Sequence, residues 1–574
     1  MTANRRDFVK QCLTLGGGAL CMPILPGILQ ASPDTADARQ SLEPICPKSA
    51  SPAKTLWAVR IEDLKEAEER LPLACLQGLV NRRQPQIYLA YDRFDRQWLD
   101  WLRRRGDVHE VRWVGPKELY EKFLPVVKGL VVTDPNLPGS VNVATMLASL
   151  EDWLPVTPHL RGKFGPLSVK MDLRERKWQK NVEAYRWFFA NYGPRMSRRA
   201  CANYDPGQFE LRDYFVEFKI PMVWISHPKD SRRHASASYA EESQFAHELF
   251  QKLPANIPCL GWWDNGQGGE EGCGENGPYS GMDLASEHGK FEVCTAFDGY
   301  GHGTGNLSVH SGTTATFRQK AAPPPPPLAD KVYYVYTRTD GDGMNFWRQV
   351  FRDLWDRPSH GKVPVGWQTG PGASDLIPDI LDYFYKHATP NDVLVNALTG
   401  VGYIREAVYL AKLPKSEQEA AWKQYLEISQ RYYKRMDLST LTTFEAFQLM
   451  PQETLARFTK LPAIKAIYRN YGRFNDTTVE NASTELNGVP VFRAILDGNF
   501  SVTTPEEMRR SAAGMARQIR QFTPARRPAF LHASLTNWFV DMRVLVEVEK
   551  ELGPDYVAVR ADHLPTLYNE AKKR

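Results

Sequence analysis

Five consecutive prolines, Pro323 to Pro327, constrain this chain more than any other feature. Each ring fixes φ and removes a backbone donor, so the run cannot enter a sheet or helix interior. It marks residues 321–329 as a linker between two parts with separate patterns. Upstream, Thr55–Ile61, Gln86–Tyr91, Val111–Val114 and Lys128–Thr133 read as short apolar strands, alternating with helical stretches at Asp63–Asn81, Asp95–Arg105 and Pro116–Leu124. That alternation predicts an α/β domain over residues 52–164 with a largely parallel sheet. A second α/β domain is predicted over residues 165–320, with a long amphipathic helix near Arg174–Ala190 and strands at Met222–Ser226 and Pro258–Trp263. It ends in Gly-dense loops at Gly266–Gly274 and Gly299–Gly305, which lack the strand-loop-helix context and lysine of a phosphate cradle.

Downstream the rhythm is regular. Strand-like runs occur at Lys331–Thr337, Val363–Trp367, Asp392–Ala397, Ser439–Thr443, Ala463–Arg469, Val489–Leu496, Arg527–His532 and Tyr556–Arg560. Helical segments such as Met344–Trp355, Ser374–His387, Pro414–Arg435, Pro505–Phe522 and Val540–Leu552 fill the gaps. About eight β-then-α units in roughly 245 residues match a (β/α) barrel, TIM-like with seven to eight strands, over residues 330–574. An open doubly wound sheet is the alternative.

The first residues read as an address. Arg5-Arg6-Asp7-Phe8-Val9-Lys10 followed by a weakly apolar, Gly-interrupted run to Leu29 fits a twin-arginine signal, with cleavage after Ala31 or Ala38. Residues 1–38 are therefore expected to be a signal peptide and the mature chain to work in the periplasm or outside the cell, with no membrane span. Six cysteines remain beyond it: Cys46, Cys75, Cys201, Cys259, Cys273 and Cys294. None has CxxC spacing, so a zinc ribbon or thioredoxin-like site is unsupported, while Cys273 and Cys294 are candidates for a disulfide. A formal charge of +5, from 72 basic against 67 acidic residues, leaves no polyanion footprint and disfavours a nucleic-acid partner. The 15 Trp and 24 Tyr suit sugar stacking as well as core packing.

Chemistry in barrels gathers where strands end in βα loops. Those ends supply Asp340 and Asp342, Trp367 and Gln368, Tyr403, Glu445, Arg469 and Asn470, Asp497, His532 with Asn537 and Trp538, and Asp562 with His563. Carboxylates, imidazole, amides and indoles in one cleft suit acid-base work on a polyhydroxylated substrate. Capping is the rival role for Asp340 and Asp342 before the helix at Met344, and for Asp562 before the last helix. Glu406 reads as a helix opener that complements the dipole.

At Gly400-Val401-Gly402-Tyr403 the sequence resembles the GxGYxYP family of "putative glycoside hydrolases". Asp340-Gly341-Asp342, Trp367 with Pro371, Asn306-Leu307-Ser308-Val309-His310 and Val559-Arg560-Ala561-Asp562-His563-Leu564 extend the resemblance. Arg405-Glu406 stands where the motif has Tyr-Pro, and Ala561 where the terminal block has Pro. The resemblance implies activity on carbohydrate. The leading expectation is an exported glycoside hydrolase whose acid and base come from Asp340, Asp342, Glu445 and Asp497, with Asp562 and His563 as further catalytic candidates and no cofactor. Its substrate contacts would be Trp367, Gln368, Tyr403, Arg469, Asn470, His532, Asn537 and Trp538. A metal-dependent, deacetylase-like hydrolase would instead hold one divalent ion with Asp340, Asp342, Asp562 and His563. A glycan-binding protein without working acids is the third possibility.

Overall fold

The structure is a computed structural model describing residues 43–227, 234–263, 279–294, 303–445, 449–470, 477–496, 504–535 and 541–574. From Pro44 to Arg574 the chain forms one compact unit of mixed α/β character with mostly parallel sheets. Three sheets precede the prolines. Strands β1 (Thr55–Arg60), β2 (Ile87–Ala90) and β3 (Glu110–Trp113) pair in the order β2-β1-β3, and β4 (Gly129–Val132), β5 (Trp153–Val156) and β6 (Val169–Asp172) in the order β5-β4-β6. Strands β7 (Cys201–Asn203), β8 (Met222–Val223), β9 (Ile257–Gly261) and β10 (Lys290–Cys294) form the third, in the order β10-β9-β7-β8. All pairs are parallel, as helical crossovers require. The helix expected at Arg174–Ala190 is a 3₁₀ turn, Leu173–Arg176, followed by a helix at Asn181–Tyr192, with Lys177 at φ 55° between them.

After the prolines every expected strand is present. Strands β11 (Val332–Arg338), β12 (Val365–Thr369), β13 (Asp392–Asn396), β14 (Thr440–Phe444), β15 (Ala466–Asn470), β16 (Ser483–Leu486), β17 (Val489–Arg493), β18 (Ala529–Leu535) and β19 (Tyr556–Ala558) make two sheets. One runs β13-β12-β11-β18, and the other β14-β15-β17-β16. Only β16 is antiparallel, in a hairpin with β17 turned by Asn487 and Gly488 at φ 51° and 81°, the left-handed pair that a two-residue turn needs. Two seams join the sheets: Thr399 N–H donates to Thr442 O at 3.1 Å, and Ile495 N–H to His532 O at 3.0 Å. The expected single ring is therefore two hydrogen-bonded sheets, because ladder pairing lapses between β13 and β14 and shrinks to one bridge, Ala494 with His532, between β17 and β18.

Alternate residues of these strands, Tyr333, Val335, Val393, Val395, Ala466, Tyr468, Phe492 and Phe530, share one apolar cluster with Val559, Ala561, Leu564 and Leu567. Strand β19 does not follow β18 around the sheet. It lies beside the first three residues of β11, Val332 to Tyr334, so the last helix, Leu564–Ala571, packs under the N-terminal ends of the strands. Buried polar bonds stitch the two halves together despite the linker. Arg348 reaches Asp92 at 2.8 Å and Asp95 at 3.2 Å, His310 Nδ1 lies 2.9 Å from Asp379, and Trp101 Nε1 donates to Asp379 O at 2.8 Å. Among the described residues no helix is long and apolar enough to cross a membrane.

Candidate functional site

The loop after β11 is shaped by what it must cross. Gly341 lies so close over the end of β12 that a Cβ there would run into the Gln368 carbonyl, and its own carbonyl accepts from Gly370 N–H and Trp347 Nε1, both at 2.9 Å. The preceding residue, Asp340, takes φ 66°, a left-handed conformation that costs an L-residue about 1–2 kcal/mol and that Asp tolerates better than most. The helix that follows, Met344–Arg348, has Gly343 at its N-cap and no side-chain cap. The N-cap position itself is therefore held by neither aspartate. Burial, with Asp340 next in line as a like charge, raises the Asp342 carboxyl to about 7.

The two glycines of the GVGY segment do similar work. Gly400 sits at φ 96°, where a Cβ would meet the Tyr425 ring. A Cβ on Gly402 would lie 2.7 Å from Phe291 and 2.9 Å from Glu292 O. Glycine at both positions lets this loop fold flat onto the end of β10, where Tyr403 and Glu292 exchange backbone hydrogen bonds of 2.7 and 2.9 Å. Gly372, in the loop after β12, donates to Val401 O at 2.8 Å, and a Cβ on it would come 3.3 Å from Val293. The loops after β11, β12 and β13 thus meet the end of β10 from the other half of the chain.

Glu292 was not among the sequence candidates. It is 1% exposed, and neither carboxylate oxygen has a hydrogen-bond partner among the described residues. The Cys259 thiol and the Trp263 indole N–H are near enough to favour its ionised form without closing a hydrogen bond. Burial dominates and holds its carboxyl well above the usual range, with Cys201 and Asp342 adding to the rise. The only hint in the sequence was a lone acid inside the apolar run Lys290–Cys294, just before a Gly-dense stretch.

Other polar groups at this end are also unpaired: both side-chain polar atoms of Gln368, the Thr369 hydroxyl, Asn396 Oδ1, the Tyr403 hydroxyl, Asn470 Nδ2 and His532 Nδ1. Native proteins pair nearly all buried polar atoms, so such a concentration marks a place prepared for something else. Tyr403 stacks near Trp262, with ring centroids 6.3 Å apart. His532 Nε2 lies 2.7 Å from Thr337 Oγ1, and burial lowers its imidazole to about 3, so it is neutral.

The remaining candidates separate. Glu445 and Arg469 hold each other at 2.7 Å in a buried pair, which ties up both groups expected at the cleft; burial still raises the Glu445 carboxyl. Glu406 opens no helix: the next one starts at Lys415, and Glu406 instead accepts from the Thr399 hydroxyl, with burial raising it to about 7. Trp367 is wholly buried against Phe351 and Trp355 and donates to Asp392 Oδ1 at 2.9 Å, so it offers no face to a sugar. Asp562 and His563 lie toward the opposite end of the strands because β19 runs beside the start of β11. Arg560 holds Asp562 at 2.8 Å while donating to Pro390 O and Asp392 O where β13 begins. The four residues proposed for a divalent ion are thus not brought together, and among the described residues no group of three or more His, Cys, Asp or Glu could hold a metal ion. Asp497, Asn537, Trp538, Cys273 and the signal segment lie outside the described residues, as does the Cys294 side chain; Cys46, Cys75, Cys201 and Cys259 are free and buried.

Comparison with known proteins covers most of the chain. The family model "GxGYxYP putative glycoside hydrolase C-terminal domain" matches residues 330–569. The first, second and third N-terminal domain models of the same family match residues 55–124, 127–196 and 198–312. A crystal structure of a "putative hydrolase" from Bacteroides thetaiotaomicron superposes with a TM-score of 0.73 at 19% identity, covering 92% of this chain and 98% of that one. At that identity the likeness shows a shared fold. No curated protein matches the chain.

Proposed function

Because the chain belongs to the GxGYxYP family, we propose that it is an exported glycoside hydrolase that works with carboxyl groups at the C-terminal end of β11. The observation that carries this reading is Asp342, half-buried with a carboxyl raised to about 7, set among buried polar groups that have no partner among the described residues. Sugar hydroxyls both donate and accept, and would satisfy amide, hydroxyl and imidazole groups together. Glycoside hydrolysis needs one carboxyl protonated near neutral pH and one ionised. On this reading the two C-terminal sheets are arcs of an incomplete (β/α) barrel, supported by the hydrogen bonds across both seams, and residues 1–38 direct export through the twin-arginine route.

The test is a panel of aryl glycosides and polysaccharides offered to the wild-type protein and to Asp342→Asn. Turnover by the wild type that falls about 10²-fold or more in the variant supports the reading. Binding of a glycan without any product from the wild type overturns it in favour of a binding protein.

A further inference from the structure

We propose that the catalytic carboxyl pair is divided between the two halves of the chain, with Glu292, the middle residue of β10, as the general acid and Asp342 after β11 as the base. The inference rests on the glycosidase reading above.

The geometry begins with the loops. Tyr403 is locked to Glu292 by two backbone hydrogen bonds. A Cβ on Gly372 would come within 3.3 Å of Val293, the neighbour of Glu292, and one on Gly370 within 3.2 Å of Asp342 Cα, so one short loop touches the surroundings of both acids. Helix Met344–Arg348, two residues beyond Asp342, packs on β10. Glu292 and Asp342 lie within electrostatic reach of each other. The titratable groups facing Glu292 are Cys201 and Cys259 from the neighbouring strands and Asp342 from across the junction; Asp340 faces Asp342, and Tyr403 lies between the halves.

A buried carboxyl without a donor at either oxygen is stable as the protonated acid. The Asp342 carboxyl, half-buried where Glu292 is 1% exposed, is the less desolvated of the two and ionises first, and two carboxyls set apart in this way divide into acid and base. In the step this allows, the Glu292 proton passes to the glycosidic oxygen as the C1–O bond breaks, with the bonding electrons staying on that oxygen. A water oxygen bonds to C1 and its proton goes to the Asp342 carboxylate. Sugar and alcohol leave, and one proton moves from Asp342 through solvent back to Glu292, so the balance is glycoside plus water.

The experiment compares full-length wild type, Glu292→Gln, Asp342→Asn and the double variant. With the sugar that the wild type cleaves, Glu292→Gln is expected to lose about 10²-fold or more on the phenyl glycoside but less than about 10-fold on the 2,4-dinitrophenyl glycoside, whose leaving group needs no proton. Asp342→Asn is expected to fail on both and to recover with azide, which attacks without a base. Equal losses on both leaving groups for Glu292→Gln, or none, overturn the assignment. Thermal unfolding at pH 8 supplies a readout that stands even if the wild type cleaves no glycoside and the functional reading fails. Non-additive melting shifts in the double variant support the pair, and shifts that sum overturn it.

Discussion

At the N-terminal end of the C-terminal strands, Arg560 donates to Asp562, Pro390 O and Asp392 O, Tyr468 donates to Ala561 O at 2.5 Å, and the last helix packs apolar residues beneath them. At the C-terminal end, Glu292, Gln368, Thr369, Tyr403 and Asn470 are as deeply buried, yet each keeps at least one polar atom unpaired. The two ends draw on the same kinds of residue, so composition does not separate them. Satisfaction distinguishes the residues named, although Thr440 Oγ1 at the start of β14 is unpaired too: a buried polar group that is paired holds the fold together, and one left unpaired costs about 1–3 kcal/mol that the fold must recover elsewhere. That cost is tolerated where a ligand will be bound.

The contrast can be broken most severely at Gly341. Gly341→Ala drives a methyl group into the Gln368 carbonyl, with no flexible side chain to give way, and should cost about 3 kcal/mol or more. Denaturant unfolding checks this; a loss below about 1 kcal/mol would mean the loop is free to move and the close crossing is not required.

Next in size is a pH effect. Asp342 has its carboxyl raised from 3.8 to about 7 in the folded state, so folding favours the protonated form. The destabilisation is absent below pH 4, grows through the window from about 4 to 7 and is complete above it, reaching at most about 4 kcal/mol for three units. Asp342→Asn should therefore raise the melting temperature at pH 8 and leave it nearly unchanged at pH 4. A stabilisation equal at both values would remove ionisation as the cause.

The smallest effect belongs to the satisfied end. Asp562→Asn should cost about 1–2 kcal/mol, since Arg560 loses a charged partner but keeps two backbone acceptors. Melting curves for this variant should shift alike at pH 6 and pH 8.

Much of this architecture was legible because strands buried on both faces are written as apolar runs, and all eight downstream strands fell where such runs occur. The Asn487-Gly488 turn carries its own signature, although the hairpin it makes with β16 was not read from it. What escaped was set by neighbours distant in sequence. Three residues, Tyr556–Ala558, do not encode whether they follow β18 or lie beside β11, and that choice decided which end holds Asp562 and His563. Trp367 and Gln368 are adjacent, and a single step along a strand separates a core indole from an unpaired amide. Glu292 looked like one acid in an apolar run until the folded chain set it against the loop carrying Tyr403.

The central claim is that chemistry resides at the unsatisfied end, and turnover by Asp342→Asn and Asp562→Asn, measured side by side on the aryl glycoside that the wild type cleaves, tests it most directly. The account predicts a loss of about 10²-fold or more for Asp342→Asn, with Asp562→Asn within about threefold of wild type. Full activity in Asp342→Asn, or a comparable loss in Asp562→Asn while it remains folded, would contradict it.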